Sequence, residues 1–242
     1  MIRTVLVWSC VAIFTLVLGA LAILTFPFDR KGNAVHQYAR LWGWLIILVS
    51  GVSVTVEGLK HVDARSPHIY MCNHMGSFDI FALLAYLPVQ FRWLAKAELF
   101  KIPVLGVAMK TAGYISLDRS ERKAAYRSME VAARTIKDGT SVVIFPEGSR
   151  SLDGSLQAFM KGGFTLAIRA GVPIVPIMIE GTWHIMPRHS LMIRKGAIRI
   201  VIDRPIPTQG LALKDRETLM KRVEAVIRRH LPAEMRGCVD AA

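Results

Sequence analysis

The sequence predicts an α/β fold, with a mixed, largely buried sheet flanked by helices, behind an N-terminal hydrophobic helical membrane anchor. Three observations predict it. Short apolar runs alternate with longer amphipathic stretches, the pattern of strands and helices in turn. The run Thr4 to Phe28 contains no charged side chain. No repeat, low-complexity tract or long linker divides the 242 residues, so positions 57–242 read as one domain and positions 1–56 as the anchoring segment.

The anchor comes first in the chain. About 20 predominantly apolar residues suffice to cross a hydrocarbon core, and Thr4–Phe28 exceeds that. The "ALA" at Ala20–Ala22 resembles a signal cleavage site, but the apolar stretch is long for a signal core and continues past it. A second uncharged run, Leu41 to Val56, is short for a span; it reads as a helix in one leaflet, or as a core helix entering the first strand. Its Trp42 and Trp44 suit either an interfacial or a packed position.

Strands are predicted at His68–Cys72, Tyr114–Leu117, Ser141–Phe145, Ile174–Ile179 and Ala197–Ile202, each a compact apolar run. Ser120–Gly139 carries a Ser N-cap, helix formers and a terminal Gly, and so predicts a helix with both ends marked. Leu156–Gly171 predicts another, its first turns weakened by Gly162 and Gly163.

Lys and Arg number 31 against 18 Asp and Glu, a net charge of +13. Such a surface attracts nucleic acid, anionic lipid or an acidic carrier. No nucleic-acid motif is present, and the apolar anchor turns the choice to anionic membrane lipid. Basic residues after the anchor place the body of the protein on the cytoplasmic side of a cell inner or plasma membrane. Cys10, Cys72 and Cys238 are far apart and odd in number, which suggests neither disulfides nor a zinc site.

The chemistry-bearing stretch is "IYMCNHMGSFDIFALL", Ile69 to Leu84. His74 and Asp79 are five positions apart, too far around an ideal helix to meet. A helix starting between them resolves this, with Ser77 as N-cap, Gly76 in the turn and Asp79 in the first helical turn. His74 then stays on the loop and folds back onto the carboxylate, half of a nucleophile-activation system. No enzyme nucleophile stands beside it: there is no G-x-S-x-G, and Cys72 falls on a buried strand. The proton donor is then the substrate, an alcohol attacking a thioester without a covalent acyl-enzyme. Two plainer readings compete, Asp79 as a helix-start residue and a metal site of His74, Asp79 and Glu147; the second lacks another histidine at ligand spacing.

Three further stretches complete a pattern. "NHMGSFD", "GYISLDR" (Gly113–Arg119), "FPEGSRS" (Phe145–Ser151) and "VPIVPI" (Val172–Ile177) resemble, in order and at similar spacing, the four blocks of the glycerolipid acyltransferase family. The resemblance covers positions 67–180. It is nearest to members that acylate the 2-hydroxyl of 1-acyl-glycerol-3-phosphate, lysophosphatidic acid, to make phosphatidic acid. By resemblance His74 is the general base and Asp79 its orienter, no metal or cofactor is needed, and acyl carrier protein or coenzyme A supplies the thioester.

The remaining blocks suit a phosphomonoester, whose charge calls for paired cations. Arg119 and Arg150 each follow a strand and are expected to grip phosphate, and Lys96 matches a position where the family often carries a phosphate-contacting lysine. Glu147 is expected to bind glycerol hydroxyl or to hold an arginine, and Gly148 to let the backbone approach the ligand. Two rival readings remain, acylation of another lysolipid or amino-lipid, and a non-catalytic lipid-binding protein. Retention of both His74 and Asp79 argues against the second.

Overall fold

The computed structural model describes residues 1–118 and 122–236. Strands β1 (Ser53–Glu57), β2 (Ile69–Cys72), β3 (Phe91–Lys96), β4 (Ile115–Leu117), β5 (Ser141–Ile144), β6 (Ile174–Glu180) and β7 (Ala197–Ile202) form one sheet of order β1-β7-β6-β2-β5-β3-β4. Its neighbours run parallel except β6 and β7, which pair antiparallel.

Helices α1 (Ile2–Thr25), α2 (Asn33–Ser50) and α3 (Phe78–Tyr86) precede β3; α4 (Leu105–Thr111) precedes β4, and α5 (Arg122–Lys137) follows it. Then come α6 (Lys161–Ala170) before β6, the short α7 (Thr182–Ile185) after it, and α8 (Arg216–His230) near the end of the described chain. Alternate side chains of a strand face opposite sides of the sheet, and β2 divides accordingly. Ile69 and Met71 join Ala132, Phe164 and Val223 of α5, α6 and α8, whereas Tyr70 and Cys72 join Val7, Ile47 and Phe78 of α1, α2 and α3. Both faces are covered, which is why the strands read as continuous apolar runs.

β3 escaped the sequence reading, and β1 entered it only as the strand, without bounds, that a helix in Leu41–Val56 runs into. β1 alternates exposed and half-buried positions at the sheet edge, a weak hydrophobic signal, and it runs across positions 56 and 57. β3 carries Arg92 in its interior, buried because the guanidinium donates to the Lys31 and Phe91 carbonyls, to Asn33 Oδ1 and to Gln90 Oε1. The helix expected from Leu156 begins only at Lys161. Residues 156–160 stay outside the helix, where Leu156 N–H donates to Met235 O (2.9 Å) and Met160 N–H to Pro146 O (2.8 Å). Of the helix expected over Ser120–Gly139, Arg122–Lys137 is observed, and Ser120 lies outside the described residues.

α1 and α2 form an antiparallel hairpin. Arg3 donates to Ser50 O, Trp42 Nε1 to Thr15 Oγ1 (3.0 Å), and the Thr25 and Tyr38 hydroxyls meet at 3.1 Å. Trp42 also packs edge-on against Phe81 of α3, while Trp44 stays exposed. Among the described residues Ile2–Phe28 is the one helical stretch long and apolar enough to cross a membrane, with a mean hydropathy of 2.5. Its inner face packs on the domain, and Ile2, Val5, Leu6, Ile13, Leu16 and Val17 face outward.

Candidate active site

The carboxyl ends of β2, β3, β5 and β6 open on one edge of the sheet, where ligands bind in open α/β folds. β2 is the central strand, and its end is fixed by Asn73. The Asn73 amide donates to Ile179 O and accepts from Ile179 N–H, both at 2.7 Å, so a side chain prolongs the β2–β6 ladder for one more step. The chain then turns out of the sheet at His74.

His74 Nδ1 lies 2.7 Å from Asp79 Oδ2 across the start of α3. The same oxygen accepts from the Met75 and Gly76 N–H groups at 2.8 and 3.0 Å. Three donors converging on a fully buried carboxylate oxygen hold it as an acceptor, which makes Nδ1 the protonated nitrogen and leaves the Nε2 lone pair to take a proton. The imidazole stacks on Phe145 at a centroid separation of 3.9 Å and 11° between planes, and Phe145 stacks in turn on Trp93. Gly76 lets the turn form: a Cβ there would lie 2.5 Å from Thr182 O and 3.0 Å from Met186 O.

Ser77 precedes α3 but makes no capping bond; its hydroxyl instead receives Arg150 Nη1. The Met75 and Gly76 N–H groups go to Asp79 while that of Ser77 goes to Met186 O, so one carboxylate both orients the imidazole and closes the turn.

Glu147 is turned toward backbone. Its Oε1 accepts from His74 N–H at 2.5 Å and its Oε2 from Gln157 N–H at 2.9 Å, and the side chain is buried. Burial pushes its carboxyl up to about 8, against the opposing pull of those two N–H bonds. Ser151 N–H completes the brace by donating to His74 O at 2.8 Å. Gly148 sits at φ +77°, a left-handed turn that suits glycine and carries the chain from Glu147 to Arg150.

A cavity of about 570 Å³ runs from this edge into the protein, a size usual for a small-molecule site. Leu18, Ala22, Val35, Phe81, Leu84 and Met109 make its apolar walls, so α1, α2, α3 and α4 all contribute. His74, Gly148, Ser149, Arg150 and Lys96 also line it, joined by Arg188 from the loop after α7. Lys96 is 70% exposed and paired with Glu98 at 3.3 Å. Arg119 lies outside the described residues. The structure thus gathers His74, Asp79, Glu147, Gly148 and Arg150, with Lys96 at the rim.

Sequence reasoning missed Asn73, Arg188 and the Phe145–Trp93 stack. Asn73 stood next to the histidine and had a signal, a polar amide where a buried strand ends. Arg188 had none, since it lies outside the four blocks. Cys72 is buried in β2 and its thiol is pushed well up by burial, the state of an inert cysteine.

Residues 53–180 match the family model described as Acyltransferase. The chain is 36% identical over 197 residues to a chloroplast 1-acyl-sn-glycerol-3-phosphate acyltransferase of Arabidopsis thaliana, covering 80% of this chain and 54% of that one. It thus spans about half the length of that relative. The 1-acyl-sn-glycerol-3-phosphate acyltransferase of Limnanthes douglasii is 31% identical over 234 residues, 95% of this chain and 82% of its own. Among solved structures, the 1-acyl-sn-glycerophosphate acyltransferase PlsC from Thermotoga maritima superposes with a TM-score of 0.82 at 25% identity, covering 94% of this chain and 92% of that one.

Proposed function

Because this chain belongs to the acyltransferase family, we propose that it transfers a fatty acyl group from a thioester to the 2-hydroxyl of 1-acyl-glycerol-3-phosphate, making phosphatidic acid. One observation carries the reading: a buried carboxylate holds an imidazole that lines, together with a guanidinium, a largely apolar cavity of about 570 Å³. An apolar channel that meets a base suits an acyl chain whose reacting carbonyl stops beside His74.

His74 Nε2 takes the 2-hydroxyl proton as that oxygen attacks the thioester carbonyl carbon. Asp79 stabilises the imidazolium formed. When the C–S bond breaks, the departing thiolate takes the proton back from His74, and the enzyme returns to its starting state without an acyl-enzyme. Acyl carrier protein and coenzyme A are both acidic carriers suited to the +13 surface. Arg150 faces the acceptor's phosphate, and Glu147 braces the histidine loop.

The α1–α2 hairpin seats the enzyme on a membrane, with its catalytic domain on the cytoplasmic side. α1 is held to the rest of the chain from Arg3 to Thr25, while its outward face is apolar. That arrangement suits burial in one leaflet, and it directs a cavity partly walled by α1 toward the lipid.

The test offers the purified full chain a panel of lysolipids with acyl carrier protein and coenzyme A thioesters, and follows transfer by mass spectrometry. Phosphatidic acid from lysophosphatidate with either donor is expected. A folded protein that acylates a different lysolipid, or none, overturns the proposal.

A further inference from the structure

We propose that Arg150 and Arg188 form a two-guanidinium clamp for the phosphomonoester of the acceptor, with Arg188 supplying the second charge from outside the four sequence blocks. The proposal rests on the acyltransferase reading and names the group that selects its acceptor.

Arg150 follows β5 and Arg188 follows α7, so the two are brought together by the fold. Both line the cavity at the end occupied by His74. Arg188 Nη1 lies 3.4 Å from Arg150 O and 3.5 Å from Ser149 Oγ, two long contacts that leave most of its five N–H donors uncommitted. Arg150 spends one donor on Ser77 Oγ. Among the described residues neither guanidinium forms an ion pair with a carboxylate, although the chain pairs Arg199, Arg228 and Arg229 with acids elsewhere.

Two like charges in a half-buried recess repel each other and lose hydration, so the arrangement is unfavourable unless an anion completes it. The effect is visible at Arg150, whose guanidinium is held below its ordinary value first by burial and then by the charge of Arg188, which the charge of Asp79 offsets only in part. A phosphomonoester carries a charge of about −1.5 to −2 at pH 7 and accepts hydrogen bonds in the fork geometry that guanidinium offers. Lys96 is a poor second partner, being 70% exposed and engaged with Glu98.

The loop bearing Arg188 is itself anchored. Arg194 N–H donates to Ile185 O (3.0 Å), Trp8 Nε1 to Leu191 O (2.9 Å), and Ile193 N–H to Thr4 Oγ1 (3.2 Å). Helix α1 therefore holds the arginine loop as well as walling the cavity.

The decisive measurement is binding of a 2-deoxy lysophosphatidate, which cannot accept an acyl group, to the full chain in detergent micelles. The monoacylglycerol of the same chain length and inorganic phosphate serve as comparison ligands, and acceptor and donor KM values are measured beside them. Arg188→Ala is expected to weaken the phospholipid about 10- to 100-fold, the loss of one charge-assisted contact, and to leave monoacylglycerol binding unchanged. Arg188→Lys should recover part of the loss, because it keeps the charge without the fork. In turnover the acceptor KM should rise while kcat and the donor KM stay near wild type.

Unaltered phospholipid binding in a folded Arg188→Ala variant overturns the clamp. A rise in the coenzyme A thioester KM alone also overturns it, by assigning the arginine to the donor's phosphate. So does inorganic phosphate binding as tightly as the phospholipid, since the site would then not be an acceptor site. Wild type that binds the 2-deoxy lipid through Arg188 but transfers no acyl group to lysophosphatidate itself sinks the catalytic reading and leaves the clamp standing.

Discussion

Asp79→Asn is the change that most directly interrogates the His74 pair. Three N–H donors, from His74, Met75 and Gly76, converge on Asp79 Oδ2. The substituted amide must therefore place its oxygen at that position, and its NH₂ falls where Oδ1 now lies buried without a partner among the described residues. Hydrogen bonds to a charged acceptor contribute about 1 kcal/mol more than those to a neutral one, about 3 kcal/mol over three bonds, and an unmatched NH₂ costs about 1–3 kcal/mol. Relief from burying a carboxylate offsets much of this. A net loss of about 2–3 kcal/mol is expected, or about 5–10 °C in Tm, so the variant should fold.

Its chemistry should not survive as well. The imidazolium formed in the reaction loses its counter-charge, and the equivalent change in a serine-protease triad lowers kcat by about 10⁴. That corresponds to about 5.5 kcal/mol in the barrier. The assay is single-turnover acyl transfer at saturating lysophosphatidate, with thermal melts in parallel, which separates chemistry from binding. Turnover within tenfold of wild type in folded protein would refute the base-and-orienter mechanism, and Asp79 would revert to a residue that closes a helix start.

Three further predictions concern the surroundings of the pair. Burial holds the Glu147 carboxyl up at about 8, above its ordinary 4.5, so the folded chain keeps a proton that the unfolded chain releases between those values. Its contribution to stability is full below pH about 4.5 and lost as pH rises through about 8; Tm followed against pH should fall less steeply in Glu147→Gln, and parallel curves would contradict this. Gly76→Ala drives a Cβ into the Thr182 and Met186 carbonyls, costing about 1–3 kcal/mol and displacing His74, so kcat should fall sharply; a variant with normal Tm and activity would show that the loop yields. Deleting residues 1–28 should weaken vesicle flotation and, because Leu18 and Ala22 wall the cavity, should also impair transfer to detergent-dispersed substrate; full activity of the truncated chain would separate the hairpin from the site.

The local features of this protein are determined by its sequence. Apolar runs of strand length marked β2, β4, β5, β6 and β7, the uncharged run marked α1, and a five-residue spacing across a Gly-Ser start allowed His74 and Asp79 to meet over a helix beginning, as their 2.7 Å contact shows they do. Each is a short-range constraint, set by backbone geometry within one turn or by burial of one segment. Tertiary structure decided what depends on partners distant in the chain. Glu147 carries no mark that it will brace the backbone of His74, 73 positions earlier, because a carboxylate in a loop serves a hydroxyl, an arginine or an N–H equally well until the fold supplies one. Ser77 looks like a helix cap until Arg150 takes its hydroxyl. Residues 156–160 look helical until the carbonyls of Met235 and Pro146 take their N–H groups and hold them out of the helix. Arg188 is one cation among 31 in the sequence, and its place beside Arg150 comes from the loop that Thr4 and Trp8 of α1 hold down. Hydrogen bonds and like charges act over a few ångströms of space, whatever the separation along the chain, and only the folded chain sets those distances.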